Sequence, residues 1–290
     1  MRVLVAGATG AVGRLLVPLL LDAGHQVTGI SRTLAGTERV RRQGASAVQA
    51  DALDRDGLLQ AVTSAAPDAV INQLTDLSDA DGEATNRLRR EGMRNLVDAA
   101  KDADVHRIVV QSMAWVYVPG DKPADETVPL DLGAAEPRGA MVDGVRVLEE
   151  TAAEIDTAVL LRYGVLYGPG TWYAPGGAVS AALGGDREAR FLGNIEADLS
   201  VSSFVHVADA ARASVGALNW PSGPVNIVDD EPARGRAWLP VLAAALGRPA
   251  PGPVSGQQSW ARGASNELAR SRGWEPEYAS WRAGFAAQDA

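Results

Sequence analysis

The glycine-rich segment VLVAGATGAVGRLL, residues 3–16, constrains the fold of this chain more than any other stretch. A Val/Leu-rich run typical of a buried strand leads into Gly7, Gly10 and Gly13, and an apolar helical pattern follows. This spacing suits a tight turn between a strand and a helix whose N-terminus faces a phosphate group. A glycine-rich turn with a purely structural role would share the triplet, but the flanking strand and helix favour a dinucleotide-binding loop.

Strands and helices alternate through the first 165 residues. Apolar runs predict six strands: RVLVAG, HQVTGIS, ASAVQAD, DAVINQL, HRIVVQS and TAVLLRYGV. Helical patterns lie between them, near residues 11–24, 36–43, 55–64, 83–103 and 139–155. Near-continuous apolar strands separated by helices predict an α/β fold of the Rossmann type, with a doubly wound parallel sheet.

The pattern changes after residue 166, where YGPGTWYAPGG is dense in glycine, proline and aromatic residues. We expect a dinucleotide-binding domain over residues 1–165, to which residues 204–230 return. We expect a small substrate-binding lobe over residues 166–203 and 231–290, because substrate pockets often form beside such a sheet. Within that lobe, RGWEPEYASWRAGFAAQ at 272–288 is interpreted as a helix.

Charge and composition exclude several classes of function. The formal net charge is −9, which argues against nucleic acid or an anionic membrane as the main partner. The chain has no cysteine, and its three histidines lie far apart in sequence, so we expect no metal site. No apolar run is long enough to span a bilayer and no signal-peptide pattern opens the sequence. We expect a cytoplasmic protein with a small-molecule partner; the oligomeric state is left open.

The end of the second predicted strand, VTGISRT, bears on the choice of cofactor. An acidic residue there would favour NAD, but this chain has Ser31 and Arg32. A guanidinium pairs well with a 2′-phosphate, so Arg32 favours NADP(H), although it could also be a solvated loop residue. Arg39 is a weaker second candidate. Asp51, which ends the third strand, is placed to meet the adenine amino group or to cap a helix.

Six segments together resemble the extended short-chain dehydrogenase/reductase family, in its NAD-dependent epimerase/dehydratase branch. They are GATGAVG, QADALD, VVQSMAWVY, LLRYGVLYGPG, SFVHVADAA and NIVDDEP. The resemblance implies a Rossmann domain with a small C-terminal substrate domain. It implies cofactor contacts from Gly7, Thr9, Gly10, Ala11, Val12, Arg32, Asp51, Ala52, Gln73, Leu74 and Tyr163. We expect substrate contacts from Ser112, Met113, Trp115, Met141 and Trp172.

The chain departs from the family at its acid–base pair. The family carries Tyr and Lys at Y-x-x-x-K, where this chain has Met141 and Val145. The usual Ser/Thr position after the fifth strand is Met113, and only the neighbouring Ser112 carries a hydroxyl. Arg89 stands in place of a structural Asn of the preceding helix. We therefore assign no catalytic side chain, although Ser112, Tyr117, Tyr163 and Tyr167 are possible substitute acids.

The loss of this pair leaves three alternatives. A missing general acid typically costs about 10²–10⁴-fold in rate, which is compatible with a non-catalytic NADP-binding regulator. Catalysis survives if hydride addition yields a phenolate or delocalised enolate, whose conjugate acid has a pKa of about 10. We therefore favour an NADPH-dependent ketoreductase acting on an aromatic polyketide or quinone-like ketone. A nucleotide-sugar epimerase or dehydratase is disfavoured, because it needs the Tyr base most.

Aromatic and sulfur-containing side chains are compatible with a flat substrate. Methionine adapts well to aromatic rings, so Met113 and Met141 suit such a ligand, although core packing would explain them equally. We expect Trp172 and Trp115 near the pocket. Four more tryptophans are predicted to lie in the core, namely Trp238, Trp260, Trp274 and Trp281.

Overall fold

A computed structural model describes residues 1–76, 82–193 and 195–287 of the chain. Its contacts divide it into two compact units. Unit 1 comprises Met1–Ser112, Leu132–Leu161 and Ala211–Pro224. Unit 2 comprises Met113–Asp131, Arg162–Ala210 and Val225–Ala290.

The strands, in chain order, are β1 (Arg2–Ala6), β2 (Gln26–Ser31), β3 (Ser46–Gln49), β4 (Ala69–Asn72), β5 (Arg107–Met113), β6 (Thr157–Tyr163), β7 (Val165–Tyr167), β8 (Val201–Ser202), β9 (Phe204–His206), β10 (Gly223–Ile227) and β11 (Ala233–Arg234). The α-helices are α1 (Gly13–Asp22), α2 (Leu34–Arg42), α3 (Arg55–Ala65), α4 (Gly82–Arg87), α5 (Met93–Asp102), α6 (Arg138–Ala152), α7 (Ala178–Leu183), α8 (Val207–Gly216), α9 (Gly235–Ala245), α10 (Glu267–Ser271) and α11 (Trp281–Ala286). A π-helical turn over Leu88–Gly92 joins α4 to α5.

Seven strands form one sheet in the order β10-β6-β5-β4-β1-β2-β3, and two small two-stranded sheets pair β11 with β8 and β7 with β9. The run β3-β2-β1-β4-β5 is parallel throughout. All four residues of β4 are buried, as expected for a strand covered on both faces. The predicted doubly wound Rossmann-type fold is confirmed.

The register of β1 explains where a ligand can bind. Ala6 pairs with Ile30 of β2 on one side and with Asn72 of β4 on the other. The chain therefore leaves these three strands side by side, at Gly7, Ser31 and Gln73. The strand order reverses between β1 and β4, and ligands of such sheets bind at the carboxyl ends of the strands beside this reversal.

The core of unit 2 is aromatic. Phe204 lies at its centre, with ring centroids 5.2 Å from Trp238 and 5.4 Å from Phe285. Trp238, Trp274 and Trp281 are buried, which confirms their predicted place in the core. Trp260 is only half-buried, so that part of the prediction is wrong. It lies in a turn of unit 2, after a run of exposed residues.

The predicted helix over residues 272–288 is wrong in its first half, and residue 288 lies outside the described residues. Gly273 adopts a φ of 83°, outside the helical region, and the helix begins only after Ser280 accepts a hydrogen bond from the Arg282 N–H at 3.1 Å. Asp209 fixes the intervening turn, because its carboxylate accepts the N–H groups of Glu277 at 2.8 Å and Tyr278 at 3.1 Å.

Asp229 makes the stability of unit 2 depend on pH. Burial raises the pKa of Asp229 from 3.8 to about 8, although the Trp281 N–H donates to its Oδ2 at 2.7 Å. Folding therefore takes up a proton, and this stabilisation is complete below about pH 4 and is lost as the pH rises through about 8. Between about pH 6 and about pH 9 we expect the native chain to lose on the order of 2 kcal/mol of unfolding free energy relative to Asp229→Asn. Urea unfolding of both proteins measures this, and parallel pH profiles would contradict it.

Within the part of the chain that the structure describes, no helix has the length and apolar character needed to cross a membrane. The same residues contain no group of three His, Cys, Asp or Glu side chains arranged to hold a metal ion.

Candidate functional site

The loop after β1 has the shape that a dinucleotide requires. Gly7 has a φ of 86°, and a Cβ atom there would lie 2.6 Å from the carbonyl oxygen of Gln73. A Cβ atom on Gly13 would lie 2.1 Å from the Gly7 carbonyl oxygen. These two glycines therefore allow close packing inside the protein. Gly10 differs, because it is exposed and a Cβ atom there would meet only the Gly7 oxygen, at 3.4 Å.

The N-terminus of α1 is open to an anion. Its N-cap residue, Val12, provides no side-chain hydrogen bond, and the first turn contains no acidic residue. The Gly10 N–H donates to the Gly7 oxygen at 3.1 Å, which shapes the turn. The backbone N–H groups at Ala11, Val12 and Gly13 and the positive end of the helix dipole thus suit a pyrophosphate beside Gly10. The residues present fit the phosphate portion of a dinucleotide, and Thr9 lies within this loop.

Arg32 lies at the carboxyl end of β2, where the adenosine ribose is expected. Its side chain is 60% exposed, and its Nη1 atom lies 3.2 Å from Oδ2 of Asp76. Thr33 caps α2 by accepting the Gly36 N–H at 3.1 Å, so the backbone after Arg32 is fixed. Arg39 is exposed in the last turn of α2. A 2′-phosphate contact by Arg32 remains a prediction, and such a contact would compete with Asp76.

The segment after β3 shows that Asp51 does not cap a helix, which was one of its two predicted roles. Its Oδ1 accepts the Leu53 N–H at 2.9 Å, in a local turn. The residue that caps α3 is Asp54, whose Oδ1 accepts the Gly57 N–H at 3.2 Å. Asp51 is therefore not the helix cap, while its contact with adenine, and that of the buried Ala52, remain predictions.

Gln73 and Leu74 follow β4 beside the glycine loop. The Gln73 N–H donates to the Ala6 oxygen at 2.8 Å, and its buried side chain donates to Ser214 Oγ at 3.2 Å. The Leu74 N–H donates to Asn72 Oδ1 at 3.0 Å. Cofactor contacts from Gln73 and Leu74 remain predictions.

Helix α6 presents an apolar stripe where the family carries its acid–base pair. Met141 is half-buried and Val145 is 1% exposed, and neither side chain can transfer a proton. One turn later, the buried Glu149 accepts the Ser112 hydroxyl at 2.6 Å. No sequence pattern predicts this bond, which engages the Ser112 hydroxyl expected near the reacting group.

Three tyrosines considered as substitute acids lie in the core of unit 2. The Tyr117 hydroxyl donates to Asn226 Oδ1 at 2.5 Å, and burial raises the pKa of Tyr117 to about 12. The Tyr163 hydroxyl lies 3.4 Å from the Ala210 oxygen, and the ring is 2% exposed. Tyr167 is fully buried, and burial also raises its pKa. The raised pKa values keep the phenols of Tyr117 and Tyr167 protonated, and burial withdraws all three rings from solvent.

The remaining predicted substrate residues belong to unit 2. Met113 and Trp115 are half-buried in the segment after β5, which is anchored by the Ala114 N–H donating to the Tyr163 oxygen at 2.9 Å. Trp172 is half-buried and contacts Phe191 edge to face, with centroids 5.6 Å apart. Their contacts with a substrate remain predictions.

Comparison with known proteins identifies the family of this chain. The model of the NAD dependent epimerase/dehydratase family matches residues 3–228. The chain belongs to this family. A Streptomyces protein, 3-diazoavenalumate denitrifying reductase, is 41% identical over 98% of this chain and 99% of its own. The chain is thus an NAD(P)-dependent reductase that binds a nicotinamide dinucleotide.

Solved structures of family members share the fold. UDP-glucose 4-epimerase of Thermus thermophilus, in complex with NAD, superimposes with a TM-score of 0.75 at 24% identity, covering 99% of this chain and 97% of that one. The enzyme of Thermotoga maritima with UDP-glucose gives a TM-score of 0.76 at 21% identity, with the same coverage. At this identity the likeness supports the fold alone.

Ser112 and the buried tyrosines give a prediction for this reductase. Because their hydroxyls are buried and bonded inside the protein, Ser112→Ala and Tyr163→Phe should each leave kcat/KM within about tenfold of the native value. Steady-state NADPH oxidation measures this, with thermal unfolding as the control for folding. A loss beyond about 10³-fold with normal cofactor binding would instead identify a hidden acid.

Proposed function

We propose that the chain is an NADPH-dependent reductase of an aromatic compound whose hydride adduct needs no proton from the protein. The observation that carries this proposal is the pair Met141 and Val145 on α6, which replaces the proton donor and its lysine. An electrophile reduced here must therefore be one that accepts hydride without forming a strong base.

The first candidate electrophile is an aromatic diazo group, as in the name of the Streptomyces relative. Bound NADPH would supply the hydride. The hydride forms an N–H bond at the terminal nitrogen of an aryl diazonium, and one N–N π pair becomes a lone pair on the inner nitrogen. The neutral aryldiazene then loses N₂, and its hydrogen ends on the ring carbon. The diazonium is reduced, the nicotinamide is oxidised, and no proton is consumed.

The second candidate is a hydroxylated polycyclic ketone of the angucyclinone or quinone type. Hydride addition there gives a phenolate or delocalised enolate, which is a far weaker base than an alkoxide. The half-buried Met141 suits a flat ring, because a thioether packs favourably against aromatic systems. Both candidates would place the reductase in the tailoring of an aromatic secondary metabolite.

The protein contributes mainly positioning to either reaction. The glycine loop and the N-terminus of α1 would hold the pyrophosphate, and Arg32 would hold the 2′-phosphate. Fixing two reactants in near-attack geometry can contribute about 7–11 kcal/mol without acid–base help. The side chains of Tyr117, Tyr163 and Tyr167 are buried, so their phenols are not exposed as alternative proton donors.

The direct test is NADPH oxidation by purified protein against four compound classes: an ortho-diazo phenol, a hydroxylated polycyclic quinone, a simple ketone and a UDP-sugar. We expect turnover of the diazo phenol, with one N₂ released and one C–H bond formed for each NADPH consumed. Using 4-²H-labelled NADPH should place deuterium in the aromatic product. Turnover of the polycyclic quinone alone would favour the second candidate. No turnover of either, with NADPH bound, would contradict the proposal.

Arg32 provides a test of cofactor choice. Removing a guanidinium that pairs with a phosphate typically costs about 10–100-fold in affinity, so Arg32→Ala should raise the Kd for NADPH by that factor and leave NADH nearly unchanged. Titration of cofactor fluorescence measures both constants. Equal effects on the two cofactors would rule out this contact. Arg39→Ala is the matched control, and a larger loss there would move the contact to Arg39.

A further inference from the structure

Arg89 lies in the π-helical turn Leu88–Gly92 of unit 1. Such turns are rare and are frequently found at functional sites. This one packs against the segment that follows β3, because a Cβ atom on Gly92 would lie 3.4 Å from the Cβ atom of Ala52. One turn later, Asn95 Nδ2 donates to the Ala52 oxygen at 2.8 Å. The π turn therefore adjoins the carboxyl edge of the sheet, where ligands of such folds bind.

The side chain of Arg89 lies beside α6. Its Nη1 atom donates to Asn86 Oδ1 at 2.8 Å, and Asn86 Nδ2 donates to the Ala140 oxygen of α6 at 3.2 Å. Gly144 leaves room for this pair, because a Cβ atom there would lie 2.5 Å from Asn86 Oδ1 and 3.6 Å from Arg89 Cδ. Gly144 and Met141 are three residues apart and are therefore neighbours on the surface of α6. Arg89 thus lies close to the position of the missing acid–base pair.

The guanidinium of Arg89 is charged but incompletely hydrated. The residue is half-buried, and burial lowers the pKa of Arg89 to about 10. It therefore stays a cation at neutral pH, in surroundings that favour the charged form less than water does. Arg87, two residues earlier, is exposed and forms an ordinary surface ion pair with Glu91 at 2.9 Å. An anion bound beside Arg89 would restore stabilisation that the guanidinium loses with its hydration.

We propose that Arg89 binds the phenolate oxygen of the aromatic substrate through its guanidinium, beside Met141 on α6. The assignment of this phenolate to the substrate rests on the proposed function.

A cation at this place suits both candidate reactions. In an ortho-diazo phenol the phenolate oxygen donates electron density to the diazonium group, and a hydrogen bond from Arg89 makes the terminal nitrogen a better hydride acceptor. In a quinone, hydride addition leaves its electron pair on the oxygen, where the guanidinium would stabilise the charge. Arg89 keeps its proton in both reactions, so it supplies charge at the place where the family supplies an acid.

Spectrophotometric titration of 2-nitrophenol tests this contact without requiring turnover. The nitro group stands where the proposed substrate carries its diazo group, and the phenolate form is distinguished from the phenol by its colour. With the full chain saturated with NADP⁺, we expect the pKa of bound 2-nitrophenol to lie at least about one pH unit below its value in water, because a nearby cation favours the phenolate. Arg89→Met keeps the length of the side chain without its charge and should abolish this difference.

Arg87→Ala is the matched control, because it removes an exposed arginine next to the same turn. It should leave the lowered pKa of bound 2-nitrophenol unchanged. Equal lowering in the native protein and in Arg89→Met would overturn the proposal. It would also be overturned if the native protein failed to bind 2-nitrophenol or bound it with an unchanged pKa.

A second variant tests the contact even if Arg89→Met fails to fold. Asn86→Asp keeps the shape of the side chain and places a carboxylate oxygen at the atom that lies 2.8 Å from Arg89 Nη1. This carboxylate would pair with the guanidinium and compete with the phenolate. The pKa of bound 2-nitrophenol should therefore return towards its value in water. A pKa as low as in the native protein would show that the phenolate binds elsewhere and would overturn the proposal.

Steady-state kinetics separates this inference from the proposed function. If the phenolate belongs to the substrate, Arg89→Met should lower kcat/KM for the diazo phenol by about 10²–10³-fold, as expected for the loss of one charge-stabilising donor. Reduction of the diazo phenol that is indifferent to Arg89→Met would leave the proposed function intact and overturn the role of Arg89. A lowered pKa of 2-nitrophenol that depends on Arg89, without any reductase activity, would support the phenolate site but overturn its assignment to substrate and the proposed function together.

Discussion

Gly10→Ala should lower the affinity for NADPH by about 100-fold or more while leaving the free energy of unfolding nearly unchanged. The added methyl group meets only the Gly7 oxygen inside the protein, at 3.4 Å, so the fold tolerates it. On its other side the methyl group would occupy the space that the pyrophosphate needs beside the N-terminus of α1. Isothermal titration with NADPH measures the loss, and urea unfolding measures the stability.

Two further variants make this prediction specific. Gly82→Ala, where a Cβ atom would meet nothing within 4 Å, should change neither quantity. Gly7→Ala should lower both the affinity for NADPH and the free energy of unfolding. Its Cβ atom would lie 2.6 Å from the Gln73 oxygen, at a residue with a positive φ. If Gly10→Ala bound NADPH normally, the phosphates would have to bind away from this loop, and the cofactor site described here would be wrong.

Asp209→Ala should destabilise the protein by about 3 kcal/mol. The carboxylate is fully buried and accepts the N–H groups of Glu277 and Tyr278, so its removal leaves two donors without their acceptor. Asp209→Asn keeps one amide oxygen and should cost less. The midpoint of urea unfolding at neutral pH measures the difference.

An exposed carboxylate in the same unit provides the control. Asp230 forms an ion pair with Arg270 at 2.6 Å, with both side chains 38% exposed. Its Oδ1 also accepts a hydrogen bond from Asn266 Nδ2 at 2.7 Å. An exposed ion pair contributes at most about 1 kcal/mol, so Asp230→Ala should cost clearly less than Asp209→Ala. Equal losses for Asp209→Ala and Asp230→Ala would show that the turn before α11 is not held by Asp209.

Local sequence patterns were sufficient to predict most of the seven-stranded sheet and its helices. The strands β1 to β6 and the helices between them follow from apolar periodicity, and the glycine loop from its spacing between β1 and α1. The apolar stripe of Met141 and Val145 was also predictable from the sequence, because both residues lie on one helix. These features depend on residues close together in the chain.

Long-range pairs were not predictable in this way. Arg32 meets Asp76 across 44 residues and Ser112 meets Glu149 across 37 residues. Asp209 fixes a turn 68 residues away and so interrupts a segment whose sequence favours a helix. Side-chain hydrogen bonds of this kind depend on the tertiary fold, which periodicity does not specify.

The interleaving of the two units has a consequence for biosynthesis. Each unit is assembled from three separate segments, so the chain passes between them five times. Unit 1 therefore lacks its last segment, Ala211–Pro224, until most of the polypeptide has left the ribosome. Contacts between distant segments slow folding, and unpaired strand edges in the nascent chain promote aggregation. Translation speed and chaperone supply should thus influence the yield of this reductase more than they would for a protein whose domains follow one another in sequence.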